Sequence, residues 1–193
     1  HMKTYDLKGE LRSQEALGKK GVRSVRTNGN IPAVLYGGAE NVNFQVSLSD
    51  VRKLIYTPEI FLVNLTIDGK AHKAILKELQ FHPVKDSILH IDFLEVFDDK
   101  DIVMEVPVKL EGLAEGVRLG GKLSQELRKL KVKGNYKNIP ELLSVNVENL
   151  GLGKTIQVGA LSFENLTILN SANNVVAAVK LTRAARGAAA AKK

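Results

Sequence analysis

Two side chains with hydrogen-bonding chemistry, His90 and Asp92, stand two residues apart in residues 88–96. This segment has the composition of a strand, in which successive side chains point to opposite faces. His90 and Asp92 should therefore share an outer face, about 7 Å apart by the rise of a strand. The apolar residues between and beside them are expected to share the core face: Leu89, Ile91 and Phe93.

An imidazole beside a carboxylate on an outer strand face has three possible uses. It can be a hydrogen-bonded surface pair without further function. It can belong to a metal site, which would need further ligands that the sequence does not offer. It can also contact RNA, because a carboxylate only accepts hydrogen bonds and so selects the amino and imino groups of base edges over phosphates.

A tyrosine, Tyr36, ends a short apolar segment between Gly29 and the Gly37-Gly38 turn. One interpretation is a core aromatic ring with its hydroxyl at the surface. The other is an exposed phenol that stacks on RNA or hydrogen-bonds to it. The sequence leaves both open.

The positive charge of the chain, +7 overall, is concentrated in two segments. The last 13 residues carry four basic side chains and no acid, and they are a frayed helix or a disordered arm. Residues 8–26 carry six basic side chains against two acidic ones. Concentrated positive charge indicates a polyanion partner, although a solvated face is the common alternative. The basic residues of the first segment are Lys8, Arg12, Lys19, Lys20, Arg23 and Arg26.

Catalytic and metal-binding motifs are missing from the sequence. The absence of cysteine excludes disulfides, thiolate metal sites and cysteine nucleophiles. The four histidines have no metal-ligand spacing, and residues 151–155 resemble only half of a phosphate loop, so they predict a turn. We expect no enzyme, no cofactor and no bound metal. No apolar run could span a membrane and no export signal is present, which predicts a cytoplasmic protein.

The distribution of strand and turn signals predicts a mainly β chain. Asp68-Gly69 is a hairpin turn between two strands, and Ser49 is expected to cap a short helix over residues 50–56. An acidic run at residues 98–101 marks a boundary. The predicted parts are an N-terminal β domain with two short helices, an all-β sandwich or roll, and a basic alanine-rich tail, over residues 1–97, 98–181 and 182–193.

Several motifs together resemble the bacterial ribosomal protein L twenty-five family. In the first half they are Glu-Leu-Arg12, Gly18-Lys19-Lys20-Gly21, Ile31-Pro-Ala-Val-Leu-Tyr-Gly37, His82-Pro83 and Leu89-His-Ile-Asp-Phe93. In the second half Val106-Pro-Val, Gly120-Gly121 and Leu127-Arg-Lys-Leu resemble the extra domain of the long, general-stress-protein (CTC) form. The resemblance covers nearly all of residues 3–180.

The resemblance implies a ribosomal RNA-binding protein. Family members bind 5S rRNA at its loop E region in the large subunit, through an N-terminal domain that is a small β-barrel with helices. The family's RNA-contacting positions correspond to Arg12, Lys19, Arg23, Tyr36, His90 and Asp92. Lys20 joins them as an expected phosphate contact, because it is a cation in the same segment.

The function predicted from the sequence is that of a structural protein of the large ribosomal subunit, located in the cytoplasm on the ribosome. An alternative is a stress-induced RNA-binding protein that joins the ribosome only in some conditions. The nearly balanced charge of the second domain argues against a second strong RNA site and permits contacts with other large-subunit proteins. Neither a membrane nor DNA is expected as a partner.

Overall fold

The computed structural model describes residues 1–13 and 17–191. It divides the chain into two compact units, His1–Asp101 and Ile102–Lys193. Each unit contains its own set of buried apolar side chains.

The first unit is a closed six-stranded barrel. Its strands are β1 (Lys3–Leu11), β2 (Asn30–Tyr36), β3 (Val42–Ser47), β4 (Phe61–Ile67), β5 (Lys70–Phe81) and β6 (Ile88–Glu95). Their order around the barrel is β1-β3-β2-β6-β5-β4. Two pairs are parallel, β1 with β4 and β2 with β6, and the other four neighbouring pairs are antiparallel. Helix α1 (Lys19–Thr27) follows β1, and helix α2 (Leu48–Ile55) follows β3.

The barrel is filled by the inner side chains of its alternating strands. Phe44 and Phe93 are fully buried, with ring centroids 5.8 Å apart. A methyl group on Gly9 would lie 2.6 Å from the Phe44 ring, so this close approach requires glycine. The prediction that Leu89 enters the core is wrong, because the core holds Ile88 and Leu89 is only half-buried. The cause is an irregular register between β5 and β6 at this end of β6.

Two local predictions have different outcomes. The Asp68-Gly69 hairpin is confirmed, and both residues have positive φ, 46° and 79°, as a tight two-residue turn requires. The helix predicted to start after Ser49 starts two residues earlier, with Ser47 at its N-cap position. The strand before it therefore ends at Ser47, and Leu48 lies exposed in the helix.

The second unit contains two sheets. Its strands are β7 (Asp101–Glu111), β8 (Lys122–Gln125), β9 (Lys129–Asn135), β10 (Leu143–Asn146), β11 (Thr155–Gln157), β12 (Thr167–Ile168) and β13 (Val175–Lys180). The sheets have the orders β10-β7-β9-β12 and β11-β13-β8. A short helix α3 (Glu115–Arg118) precedes β8, and helix α4 (Arg183–Ala190) follows β13. The prediction of a mainly β chain, with a small barrel followed by a second β domain, is confirmed.

Candidate nucleic-acid interface

The His90 and Asp92 side chains meet on the outer face of β6. His90 Nδ1 lies 2.9 Å from Asp92 Oδ1, and the two side chains are 29% and 31% exposed. Strand alternation places both on the face opposite Ile91, which is fully buried in the barrel. Their mutual contact uses one nitrogen and one oxygen. The other ring nitrogen and the second carboxylate oxygen can therefore serve an outside partner.

The neighbouring strand β5 adds two more polar side chains to this face. Glu78 stands opposite Asp92, and Gln80 stands opposite His90 in the antiparallel register. Together with Leu79 these four side chains line a shallow recess. The recess is rich in hydrogen-bond acceptors, since carboxylates only accept and an amide does both. Such a surface suits the amino and imino groups of nucleic-acid bases.

Glu78 and Gln80 were not found by sequence reasoning. Glu78 lies across from Asp92 because a bulge between Leu76 and Glu78 shifts the register by a residue that no sequence pattern shows. Glu95 forms a separate pair with His72, at 2.7 Å, three residues beyond Asp92 on β6.

Tyr36 adds a hydroxyl within electrostatic reach of the recess. It ends β2, which runs parallel to β6, and it is half-buried. Burial raises the pKa of the Tyr36 phenol, and the negative charges of Asp92 and Glu78 raise it further. The phenol therefore keeps its proton at neutral pH and can donate a hydrogen bond beside two groups that can only accept. This position agrees with the interpretation of Tyr36 as a surface hydroxyl.

Helix α1 carries the cations predicted to contact phosphate. Lys19, Lys20 and Arg23 are exposed, while Val25 is buried and fixes the inner side of the helix. Arg26, on the same side as Lys19 and Arg23, donates from Nε and Nη2 to the Leu89 carbonyl oxygen at 3.2 and 2.9 Å. Leu89 directly precedes His90. The arginine thus holds the cationic helix next to the end of β6 that carries the His90–Asp92 pair.

Arg12 directly follows β1, and strands β3 and β2 separate β1 from β6, which carries the His90–Asp92 pair. Its backbone N–H donates to the Asn43 carbonyl oxygen at 3.1 Å, and its Nη2 lies 3.5 Å from Asn43 Oδ1. Asn43 stands opposite Val34, which stands opposite Asp92, so three strand spacings, or about 14 Å, separate Arg12 from Asp92. Burial lowers the pKa of Arg12, and its Nε is buried without a hydrogen-bond partner among the described residues.

An unsatisfied buried donor is costly, and a cation in that state favours an anionic or strongly accepting partner. The outer face of the barrel therefore combines two kinds of group. Cations lie on α1 and at the end of β1, and acceptors lie in the recess on β5 and β6. Phosphate contacts and base-edge contacts require these two sets respectively.

The role of Arg26 as an anchor can be tested by its removal. We expect Arg26→Met to keep the apolar stem but loosen α1 by about 1 kcal/mol, because two donated hydrogen bonds are lost. Hydrogen exchange of the α1 amides measures this directly. Arg23→Met is the matched control, since Arg23 is exposed and its side chain forms no hydrogen bond or ion pair with the described residues. Equal exchange in the two variants would contradict the anchor.

Comparison with known proteins supplies the family. The chain is 63% identical over 190 residues to the large ribosomal subunit protein bL25 of Porphyromonas gingivalis, covering 97% of this chain and 98% of that protein. It is 61% identical over 186 residues to the bL25 of Azobacteroides pseudotrichonymphae, covering 96% and 97%. The chain belongs to the ribosomal L25p family.

The family models divide the chain as its two units do. The Ribosomal L25p family matches residues 7–93, which form the barrel, and the model described as Ribosomal protein TL5, C-terminal domain matches residues 101–183. The bL25 of Bacteroides fragilis is 56% identical over 193 residues, 98% of each chain, so the two-unit arrangement extends to that relative. The resemblance inferred from the motifs is confirmed, in both its N-terminal and its C-terminal parts.

The L25p proteins are structural ribosomal proteins and not enzymes, as the sequence predicted. Over residues 1–13 and 17–191 no group of three or more histidine or acidic side chains could hold a metal ion. No helix in that part of the chain has the length and apolar character needed to cross a membrane.

Proposed function

We propose that this chain is a structural protein of the large ribosomal subunit, in the cytoplasm, and that its barrel binds 5S rRNA at the loop E region. The relatives are named as large-subunit proteins, which supports the location. One observation supports the mode of binding above all others: the Arg26 contact to Leu89 brings the cationic helix beside the His90–Asp92 pair. A single surface then offers both phosphate and base contacts.

The division of labour follows from the chemistry of each group. Lys19, Lys20 and Arg23 attract phosphates and release counterions, which gives affinity that depends on salt but not on sequence. The carboxylate of Asp92 repels phosphate and accepts from base edges, so it costs affinity for any RNA and restores it only for the right bases. Tyr36, Gln80 and His90 add donors and acceptors around it.

An irregular RNA segment fits this surface better than a regular duplex does. The minor groove of A-form RNA is wide and shallow, and its deep major groove excludes side chains. A segment of non-standard pairs displays base edges that a regular helix hides, and a flat row of polar side chains on a barrel can lie against them. The relatives are named for the large ribosomal subunit, and their names give no support to the alternative of attachment only under stress.

Filter binding of the full chain to a 5S transcript tests the proposal. The comparison RNA has the same length, with its loop E residues replaced by Watson–Crick pairs. We expect at least about a fivefold preference for the natural sequence, since a lost set of base contacts costs about 1–3 kcal/mol. Equal binding of the two RNAs at several salt concentrations would contradict the proposal.

A further inference from the structure

The C-terminal helix α4 is docked on the second unit. Thr182 caps it by accepting from the Ala185 N–H at 3.2 Å, and the Thr182 hydroxyl donates to the Gly120 carbonyl oxygen. Ala185 is 1% exposed, and a methyl group on Gly120 would lie only 3.4 Å from the Ala185 nitrogen. The helix is therefore held against the turn at Gly120 by a hydrogen bond and by close packing.

This docking directs two arginines outward. At 100° per residue, Arg183 and Arg186 lie about 60° apart on the side of the helix away from Ala185. Both are exposed, and residues 181–193 contain no acidic side chain. A tail that looks like a low-complexity extension in the sequence therefore has at least two cations in fixed positions.

Further cations surround the same turn. Arg118 ends α3 and Lys122 begins β8, and both are exposed on either side of Gly120. Lys122 stands directly opposite Lys180 across the β8–β13 pair. Like charges in that position destabilise a sheet. We call the five cations around this turn the Gly120 surface: Arg118, Lys122, Lys180, Arg183 and Arg186.

Acidic groups compensate only part of this charge. Glu126 accepts from Lys180 at 3.3 Å, and hydrogen bonds from Ser124 and Lys180 lower the pKa of Glu126 below its usual range. Glu115 lies on α3, three residues before Arg118. No ion pair involves Arg118, Lys122, Arg183 or Arg186 within the part of the chain that the structure describes.

We infer that the Gly120 surface is a second RNA-binding surface, which contacts phosphates and not bases. Arginine forks match phosphate oxygens, and clustered cations that exceed the acids beside them give sequence-independent, salt-dependent attraction to a polyanion. A nearly balanced net charge over the second domain argued against such a site. Net charge does not describe how charges are distributed, and here five cations lie around one turn with only Glu115 and Glu126 as named acidic neighbours.

The inference is independent of the barrel surface and can be tested while that surface is disabled. The background is the full chain with Lys19, Lys20 and Arg23 replaced by alanine. The probe is a labelled RNA duplex of 20 base pairs and arbitrary sequence, followed by fluorescence anisotropy over a series of salt concentrations. Adding Arg183→Ala and Arg186→Ala should weaken binding about twentyfold at 0.1 M salt and reduce the slope of log K against log salt by about two.

A matched variant separates position from net charge. Lys129→Ala with Lys133→Ala also removes two exposed cations from the second unit, on the outer face of β9. We expect little loss there, and an equal loss would overturn the inference. Alanine favours helix, so α4 should persist in the arginine variant, and circular dichroism verifies this.

Two further results are decisive. If the arginine variant binds the duplex normally but is lost from large ribosomal subunits during a salt wash, the surface contacts a protein. That result would overturn the inference. In that case Leu119 and Leu181, which are about half exposed beside the turn, become the expected contacts. If the background itself binds as well as the natural chain, the barrel proposal fails, while an arginine effect of the stated size still supports this one.

Discussion

Replacing Lys19, Lys20 and Arg23 together by alanine is expected to lower the affinity for 5S rRNA about a hundredfold at 0.1 M salt. Each lost phosphate contact should also reduce the slope of log K against log salt by about one, so the slope falls by about three. All three side chains are exposed on α1, and Val25 provides the buried contact of this helix. The free energy of unfolding should therefore change little.

A control with the same residue types tests the importance of position. Arg52 and Lys53 lie exposed on α2, and Lys70 lies exposed where β5 begins after the hairpin turn. Replacing these three by alanine removes the same charge from the same unit. We expect less than a threefold change in affinity. If the control loses as much as the α1 variant, net charge alone explains binding, and α1 has no special role.

Local chemistry allowed much of the barrel to be predicted. The pair Asp68-Gly69 specifies a tight turn, because both residues tolerate positive φ, and the flanking strands then pair in one register. Strand ends are less determined. Leu89 and Ile88 are equally apolar, and the irregular pairing at the end of β6, which depends on β5, decides that Ile88 is buried.

The candidate interface, too, was only partly predictable from the sequence. The positions of His90 and Asp92 on one face follow from strand alternation alone, which any two-residue spacing provides. Glu78 and Gln80 join them only through a bulge in a strand ten or more residues away in sequence. Arg26 was counted as one charge among six, yet its contact with Leu89 shows that it acts as an anchor.

The tail shows a third limit of sequence interpretation. An alanine-rich segment with four basic residues is compatible with a frayed helix or a disordered arm. What distinguishes them is the fit of Ala185 against Gly120, 65 residues earlier in the chain, together with the hydroxyl of Thr182. Composition does not reveal contacts between residues so far apart in sequence. These contacts fix the positions of the tail arginines on the surface of the second unit.

Asp92→Asn should weaken the discrimination between 5S rRNA and other RNA, whereas loss of the α1 cations should weaken the binding of any RNA. The substitution keeps the size of the side chain but removes its charge and replaces one acceptor with a donor. A donor facing the amino or imino group of a base leaves both unpaired, which costs about 1–3 kcal/mol. Affinity for 5S rRNA should fall roughly tenfold to hundredfold, and the salt slope should stay nearly unchanged.

The same variant should bind the control RNA, in which loop E is a regular duplex, as well as the natural chain or slightly better. The removed carboxylate repels every phosphate, so its loss favours RNA that makes no base contact with it. Asp68→Asn is the matched control, because asparagine tolerates the positive φ of that exposed turn. If Asp92→Asn weakens both RNAs equally, Asp92 supports the fold or the His90 ring and does not select bases, and the specificity must then come from Tyr36, Gln80 or the shape of the barrel surface.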